Sequence, residues 1–304
     1  MAKILVVGSI NMDLVVRVPR PPAPGETILG GDFQTFPGGK GANQAVAAAR
    51  LGGEVTLVGR VGHDDFGYEL VQGLADNRVN TNHVVKDPGS KSGIAMITVA
   101  DNGENSIVVA PGANTLLSKD TILKHRKLIQ KADLLLVQLE CPLLTVTLAI
   151  ELAHAYKVPV VLNPAPAQPL PESLLAKVTV LTPNESELAL LSGENDLEQG
   201  IKTLRSRGVK SVVVTLGAQG ARLVSETADL LLPSFKVAPV DTTAAGDAFN
   251  GALAVMLAEG KPLPEAVRYG TAAGALATTK IGAQPSLPTR YAVEQLLVDA
   301  QLNP

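Results

Sequence analysis

The residues best suited to do chemistry lie where a polar turn runs into an apolar helix. Asp241-Thr-Thr-Ala-Ala-Gly-Asp-Ala-Phe249 opens Ala248–Glu259, a segment that reads as a buried helix. A helix start presents unpaired N–H groups and the positive end of the macrodipole, so it attracts anions. Ala244, Ala245 and Gly246 are too small to block an approaching ligand, which makes their amides a candidate anion hole. Asp247 follows in the first turn. An anion site beside a carboxylate fits phosphoryl transfer: amides hold the moving phosphate, and the carboxylate takes the proton of the attacking hydroxyl. The same carboxylate would also serve simply to favour a helix N-terminus.

Two further clusters suit a small polyol. Gly8-Ser-Ile-Asn-Met-Asp13 follows an apolar run, and Gly38-Gly-Lys-Gly-Ala-Asn43 opens a helix whose Ala-rich body, Gln44–Arg50, implies close packing. Their glycines let the backbone come near a ligand, while Asn11, Asp13, Lys40 and Asn43 offer directional hydrogen bonds. Each alone reads equally as a turn former or cap. Glu140 follows another apolar run. Asn184-x-x-Glu187 spans about one helical turn, which fits either orientation of a hydrated Mg²⁺ beside phosphates or a capping box. Thr215-Leu-Gly-Ala-Gln-Gly220 is a glycine-rich turn suited to nucleotide phosphates.

These clusters need a frame that brings them together. Ile4–Val7, Val55–Val58, Leu134–Val137, Val160–Leu162, Thr179–Leu181 and Val212–Thr215 read as strands buried on both faces. Between them Gly41–Leu51, Phe66–Asn77, Lys119–Lys131, Leu143–Tyr156, Glu185–Ser192 and Leu197–Arg207 read as helices. The alternation predicts an α/β fold, a three-layer α/β/α arrangement around a mostly parallel sheet. Open sheets of this kind bind ligands beyond their strand ends, where the polar clusters fall. Residues 11–37 and 93–110 break the rhythm with strands and no helices, the second pair joined by the turn Asp101-Asn-Gly103. They predict a small antiparallel sheet outside the main layer, a lid subdomain on a single domain of 304 residues. Its alternating pattern leaves one face for the substrate and one needing a cover, which a second copy would supply in a homodimer. After Thr243 the chain reads as mainly helical.

Composition excludes several classes. The 304 residues carry a net charge of -3 with no basic run, which argues against nucleic acid and anionic membranes as partners. Aromatic residues are only 3% and Trp is absent, so stacking platforms for bases are scarce. The single Cys141, beside an apolar run, reads as a buried thiol and excludes an internal disulfide. No apolar run approaches a membrane span and the N-terminal residues do not form a signal peptide, which predicts a cytoplasmic protein. There is no Gly-x4-Gly-Lys-Ser/Thr loop. Asp65-Phe66-Gly67 lacks the His-Arg-Asp loop of a protein kinase, and His63, His83, His125 and His154 show no zinc spacing.

Five ordered motifs make the chain resemble, from end to end, the ribokinase/phosphofructokinase-B (PfkB) carbohydrate kinase family. They are Gly8-Ser-Ile-Asn-Met-Asp13, Gly38-Gly-Lys-Gly-Ala-Asn-Gln-Ala-Val-Ala47, Asn163-Pro-Ala-Pro-Ala167, Pro183-Asn-Glu-x-Glu187 and Asp241-Thr-Thr-Ala-Ala-Gly-Asp-Ala-Phe-Asn-Gly251. The first two together are more typical of its ribokinase branch than of the wider family. The resemblance implies ATP-dependent phosphorylation of D-ribose at the 5-hydroxyl, with deoxyribose, fructose or a nucleoside such as adenosine as alternatives. It implies Asp247 as base and Ala244, Ala245 and Gly246 as anion hole. Asn11, Asp13, Gly39, Lys40, Asn43 and Glu140 match sugar positions. Asn184, Thr215, Gly217, Gly220, Gly246, Thr271 and Asn250 match ATP positions, with Mg²⁺ accompanying the nucleotide. The family also implies an activating K⁺ held by Asp241, Thr243, Ala277, Lys280, Gly282 and Ser286, partly through carbonyls, and a homodimer through the lid. A silent sugar-binding regulator is the contrasting reading, but sugar binding alone needs neither base nor anion hole.

Overall fold

Continuous apolar runs form the centre of the molecule because a strand covered on both sides has no face to give to water. The computed structural model describes residues 1–102 and 104–302. Its strands are β1 (Lys3–Val7), β2 (Asn11–Val18), β3 (Phe33–Gly38), β4 (Glu54–Gly62), β5 (Asn80–Asp87), β6 (Gly93–Ala100), β7 (Asn105–Ala110), β8 (Leu134–Val137), β9 (Val160–Leu162), β10 (Val180–Leu181), β11 (Val212–Thr215), β12 (Ala221–Val224) and β13 (Asp229–Leu232). Its helices are α1 (Lys40–Arg50), α2 (Asp65–Asp76), α3 (Lys119–Lys124), α4 (Arg126–Lys131), α5 (Leu143–Ala155), α6 (Glu172–Leu175), α7 (Glu185–Ser192), α8 (Leu197–Ser206), α9 (Ala245–Ala258), α10 (Leu263–Ala277), α11 (Ala283–Ser286) and α12 (Arg290–Leu302).

Among the described residues nine strands make one sheet in the order β13-β12-β11-β10-β9-β8-β1-β4-β5. Neighbours from β5 to β11 are parallel, and β12 and β13 add an antiparallel edge. Alternate residues serve opposite cores. Ile4, Val6, Leu134 and Leu136 pack with Ala45 and Ala48 of α1, Ala252 of α9 and Ala272 of α10. Leu5, Val7, Leu135 and Val137 pack with Ile129 of α4 and Val146 and Ile150 of α5 on the other face.

The second sheet has the order β3-β2-β6-β7 and stands apart from the first. It corrects one expectation. β2 and β6 pair in parallel from Asn11 opposite Gly93 to Val18 opposite Ala100, so the sheet is mixed rather than antiparallel. The chain returns between them through β3, α1, β4, α2 and β5, a crossover that re-enters in the same direction. The turn expected at Asp101-Asn-Gly103 joins β6 to β7, with Gly103 outside the described residues. Two other differences stand out. The single helix expected over Lys119–Lys131 divides at His125, whose φ of -98° and ψ of 12° end α3 and start α4. β5 and β13, at the two edges of the sheet, and β12, between β11 and β13, are absent from the sequence reading.

Candidate active site

The large sheet grows from β1 through β4 and β5 on one side and through β8 and β9 on the other. Connections leaving the ends of β1 and β8 diverge, which opens a crevice there. Ser9 follows β1 and Glu140 follows β8, and the Ser9 hydroxyl donates to Glu140 Oε2. The Lys40 amide donates to the same oxygen at 3.0 Å. The first turn of α1 has no acidic residue of its own, so Glu140 supplies the negative charge that its N-terminus favours.

The two glycine clusters interlock. A Cβ at Gly41 would lie 2.5 Å from the Gly8 carbonyl carbon and the Ser9 nitrogen, and one at Gly38 would overlap the Asp13 carboxylate. Gly39, at the N-cap of α1 with φ of 87°, would meet the Asn11 nitrogen at 2.6 Å. Close approach is thus spent on seating α1 against the chain after β1. Asn11 is buried, and its Oδ1 accepts from Asn114 Nδ2 at 2.7 Å. Asn114 Oδ1 accepts from the Ile10 amide at 2.9 Å, which clamps the entry to β2.

Helix α1 delivers its polar end to α9 by small-residue packing. A Cβ at Gly251 would lie 2.5 Å from Ala47 Cβ and 2.9 Å from the Ala48 nitrogen, so the helices meet nearly backbone to backbone. One turn earlier on each helix, Asn43 and Gln44 meet Asp247. Asn43 Nδ2 donates to Asp247 Oδ2 and Gln44 Nε2 to Asp247 Oδ1, both at 2.9 Å. Gln44 Nε2 also donates to Asn163 Oδ1 at 3.0 Å, and Gln138 Nε2 donates to Gln44 Oε1 at 2.6 Å. Asn43 Oδ1 is buried and has no partner, leaving an acceptor beside the carboxylate.

Charge at this point is mixed and shielded from water. Burial pushes the Asp247 carboxyl above its usual range, against the pull of Lys40 and of the Gln44 and Asn43 hydrogen bonds. Burial, with Glu140 and Asp247 nearby, pushes Asp13 up to about 7. Burial disfavours the Lys40 ammonium, yet Asp247, Glu140, Glu187 and Asp13 together hold its pKa above that of an ordinary lysine. Ala244, at φ of 60°, turns the chain into α9, and space is open around Gly246. Neither the Gly246 nor the Asp247 amide has an acceptor among the described residues. A helix start with free amides beside a buried carboxylate can receive an anion and take up a proton.

The positions expected on the nucleotide side have differing structural roles. Asn184 and Glu187 form a capping box on α7: the Glu187 amide donates to Asn184 Oδ1 at 2.8 Å, and the Asn184 amide donates to Glu187 Oε2 at 2.9 Å. Glu187 still lies within electrostatic reach of Lys40 and Asp247. Thr215 pairs with Asn184 at the end of β11. Gly217 has φ of 54° and open space beside it, whereas a Cβ at Gly220 would strike the Leu232 carbonyl oxygen at 2.0 Å. Gly217 therefore faces outward, and Gly220 is required by the packing of β13. The Thr271 hydroxyl donates to the Val267 carbonyl of its own helix, and Asn250 bridges Thr182 and the Gly246 carbonyl.

Asp241 ties two segments together. Its Oδ1 accepts from the Thr243 amide at 2.9 Å and its Oδ2 from the Gly282 amide at 2.8 Å. Burial works against its charge, but these bonds and nearby Arg17 hold the carboxyl below the usual range. Ser286 Oγ donates to the Ala283 carbonyl, Ala277 is buried at the end of α10, and Lys280 is exposed. A cleft of about 400 Å³ separates this loop from the small sheet, with Asp13, Arg17, Gln34 and Phe36 on one wall and Asp241 and Gly282 on the other.

Sequence reasoning did not single out Ser9, Gln44, Asn114, Gln138 or Asn163 as site residues. Ser9, Gln44 and Asn163 lie inside the motifs; Asn114 and Gln138 have no local signal. Among the described residues no group of three or more His, Cys, Asp or Glu side chains is placed to hold a metal, and no helix is long and apolar enough to cross a membrane. The Cys141 thiol is buried.

Comparison with known proteins bears on this geometry. The family model described as pfkB family carbohydrate kinase matches residues 1–290. The chain is 44% identical over 297 residues to a ribokinase of Bacillus subtilis, covering 98% of this chain and all of that one. Its structure is similar to that of a ribokinase from Thermotoga maritima, with a TM-score of 0.91, 39% identity and coverage of 98% and 100%. An Arabidopsis thaliana ribokinase complexed with ribose and ATP gives a TM-score of 0.91 at 34% identity, covering 98% and 99%.

Proposed function

Because the chain belongs to the pfkB family of carbohydrate kinases, we propose that it transfers the γ-phosphoryl group of ATP to the 5-hydroxyl of D-ribose. The observation that carries the mechanism is the buried Asp247 carboxylate beside the acceptor-free amides at the start of α9. The ribose oxygen bonds to the γ-phosphorus as the bond to the β-phosphate bridging oxygen breaks. The hydroxyl proton passes to Asp247, and ADP leaves with the bond's electron pair. Of the expected anion hole Ala244, Ala245 and Gly246, the amides of Ala244 and Gly246 hold the charge spread over the transferring phosphoryl oxygens, joined by that of Asp247, while the Ala245 amide is engaged with the Thr242 carbonyl at 3.3 Å. Asn11, Asp13, Gly39, Lys40, Asn43 and the free oxygen of Glu140 bind the sugar. Asn184, Thr215, Gly217 and Gly220 shape the nucleotide side, where Thr271 and Asn250 act through packing.

The donor set fits a divalent ion brought with ATP, since Mg²⁺ commonly takes phosphates, water and only one or two carboxylates. Glu187 retains one oxygen outside its capping box and would orient such an ion's water shell together with Asn184. Mg²⁺ supplies neutralisation of the phosphate charge. We place the reaction in the cytoplasm, where ATP is at hand.

The Asp241 loop fits K⁺. Its carboxylate is ionised and already bridges the two segments, so the carbonyls of Asp241, Thr243, Ala277, Lys280 and Gly282 and the Ser286 hydroxyl are the remaining donors. Neutral carbonyl oxygens suit K⁺ better than an ion that holds its water tightly. Turnover should be higher in K⁺ than in Na⁺, and Asp241→Ala should weaken that response. Equal rates in K⁺, Na⁺ and a bulky organic cation at matched ionic strength would rule the ion out as an activator.

The small sheet acts as the lid, and its two faces differ. The row Gln34, Val15, Ile97 and Ile107 lines the cleft, while the row Thr35, Leu14, Met96 and Val108 points away. On that outer face Phe33, Met96 and Val108 are 62%, 48% and 60% exposed, an apolar surface that a second copy would cover in a two-fold dimer. Sedimentation at micromolar concentration should give twice the chain mass, and Val108→Glu should release monomers. A wild-type monomer would end the shared-lid reading.

The reaction itself is tested by coupled ADP release over ribose, deoxyribose, fructose and adenosine. Ribose should give the highest kcat/KM. ADP release that is no faster with ribose than without sugar would overturn the proposal, and preference for another member of the panel would reassign the substrate.

A further inference from the structure

We propose that Gln44 is the positioning residue of the base: its amide, locked in one orientation by Gln138 and Asn163, sets the plane of the Asp247 carboxylate. Both Gln44 protons are committed, one to Asp247 Oδ1 at 2.9 Å and one to Asn163 Oδ1 at 3.0 Å. Its carbonyl accepts from Gln138 Nε2 at 2.6 Å. Turning the amide over would set its oxygen against two acceptors and its nitrogen against a donor, so only one orientation satisfies the group. The neighbours are held in turn. Asn163 Nδ2 donates to the Thr182 carbonyl at 3.2 Å, and Gln138, whose Oε1 has no hydrogen-bond partner, is held by packing, that oxygen lying where a Cβ on Gly8 would collide with it at 2.2 Å. Gln44 is fully buried and Gln138 is 1% exposed, so water does not compete for these bonds.

Asn43, the other donor to Asp247, is built differently. Its Oδ1 has no partner, so its amide is free to respond to a ligand. One neighbour of the carboxylate adapts and the other does not. The charged groups facing Asp247 are Lys40 from α1, Asp13 from β2, Glu140 after β8 and Glu187 from α7. Three carboxyl groups oppose one ammonium, so a neutral donor fixed on Oδ1 has weight in keeping Asp247 ready to take a proton.

This rests on Asp247 being the base, and its test has a readout that needs no substrate. Gln44→Met removes the donor at similar volume, and Gln44→Glu keeps the shape but turns an acceptor toward Asp247. The carboxyl carbon of Asp247 is titrated by NMR in ¹³C-Asp-labelled full-length protein and assigned by its loss in Asp247→Asn. Losing a hydrogen bond to a charged group should raise the Asp247 midpoint by roughly one to two pH units in Gln44→Met, and by more in Gln44→Glu. The acid limb of kcat/KM should move with it, while kcat falls roughly 10–100-fold and both KM values stay within about three-fold. An unchanged midpoint in a variant that melts like the wild type would overturn the proposal, as would a fall in kcat that tracks only lost stability. Should Gln44→Met fail to fold, the isosteric Gln44→Glu decides alone. Absence of turnover on any sugar would sink the proposed reaction, yet the NMR midpoint would still decide the role of Gln44.

Discussion

Asp247→Asn is expected to lower turnover roughly 10²–10⁴-fold, the usual worth of a positioned general base, in a protein that stays folded. The neighbours can accommodate the amide. Gln44 Nε2 still finds an oxygen, and Asn43, whose Oδ1 is unpartnered, can turn over to accept from the new NH₂. Ribose binding should survive, because Asn11, Lys40 and Glu140 are untouched. Stability should not fall at neutral pH. The Asp247 carboxyl titrates above its reference value of 3.8 when folded, so the folded chain holds that proton more tightly than the unfolded chain. Ionisation therefore costs stability as pH rises from that reference through the folded midpoint, and the asparagine variant escapes the cost. Its Tm should match or exceed the wild type at pH 7, with the gap closing in acid. Activity runs the other way in the wild type: it is lost as pH falls, because both the base and Asp13, near 7, take up protons. A variant turning over within a few-fold of the wild type would remove Asp247 from the chemistry.

Gly41→Ala is expected to cost about 10²-fold in kcat/KM for ribose, the scale of a 1 Å displacement of groups that must align. The added methyl would lie 2.5 Å from backbone atoms of Gly8 and Ser9, which cannot rotate away as a side chain would. Something must shift, and the strain falls on the buried first turn of α1. That turn carries Lys40, Asn43 and Gln44, so the error is delivered to both sugar and base. Overpacking of this kind costs about 1–3 kcal/mol, enough to lower Tm by several degrees. Gly246→Ala makes the contrast, since its Cβ would meet nothing within 4 Å and the chain should melt like the wild type. Should Gly41→Ala retain ribose kinetics and Tm, the interlock of the two glycine clusters would not govern the site.

Local chemistry was enough to locate much of this molecule. β8, β9, β11 and α7 begin and end where the sequence places them, because a four-residue apolar run or a capped amphipathic segment states its own limits. Asp247 in the first turn of a buried helix follows from Ala244-Ala-Gly-Asp247 alone, and the alternating strands outside the main layer follow from period-two patterning. What the sequence could not state is partnership. β5 was unread because an edge strand is only half covered and loses the continuous apolar signature, and β13 because its run of three leucines is too short to mark a strand by itself. The parallel pairing of β2 with β6 depends on how far the chain travels between them. Asn184-x-x-Glu187 fits a capping box and a metal-orienting pair equally on paper, and the hydrogen bonds show the capping box. Gln138 looks like any polar residue ending a strand, and its bond to Gln44 spans 94 positions. Side-chain amides carry no charge pattern or period, so their role exists only once packing has removed water and left each donor a single acceptor.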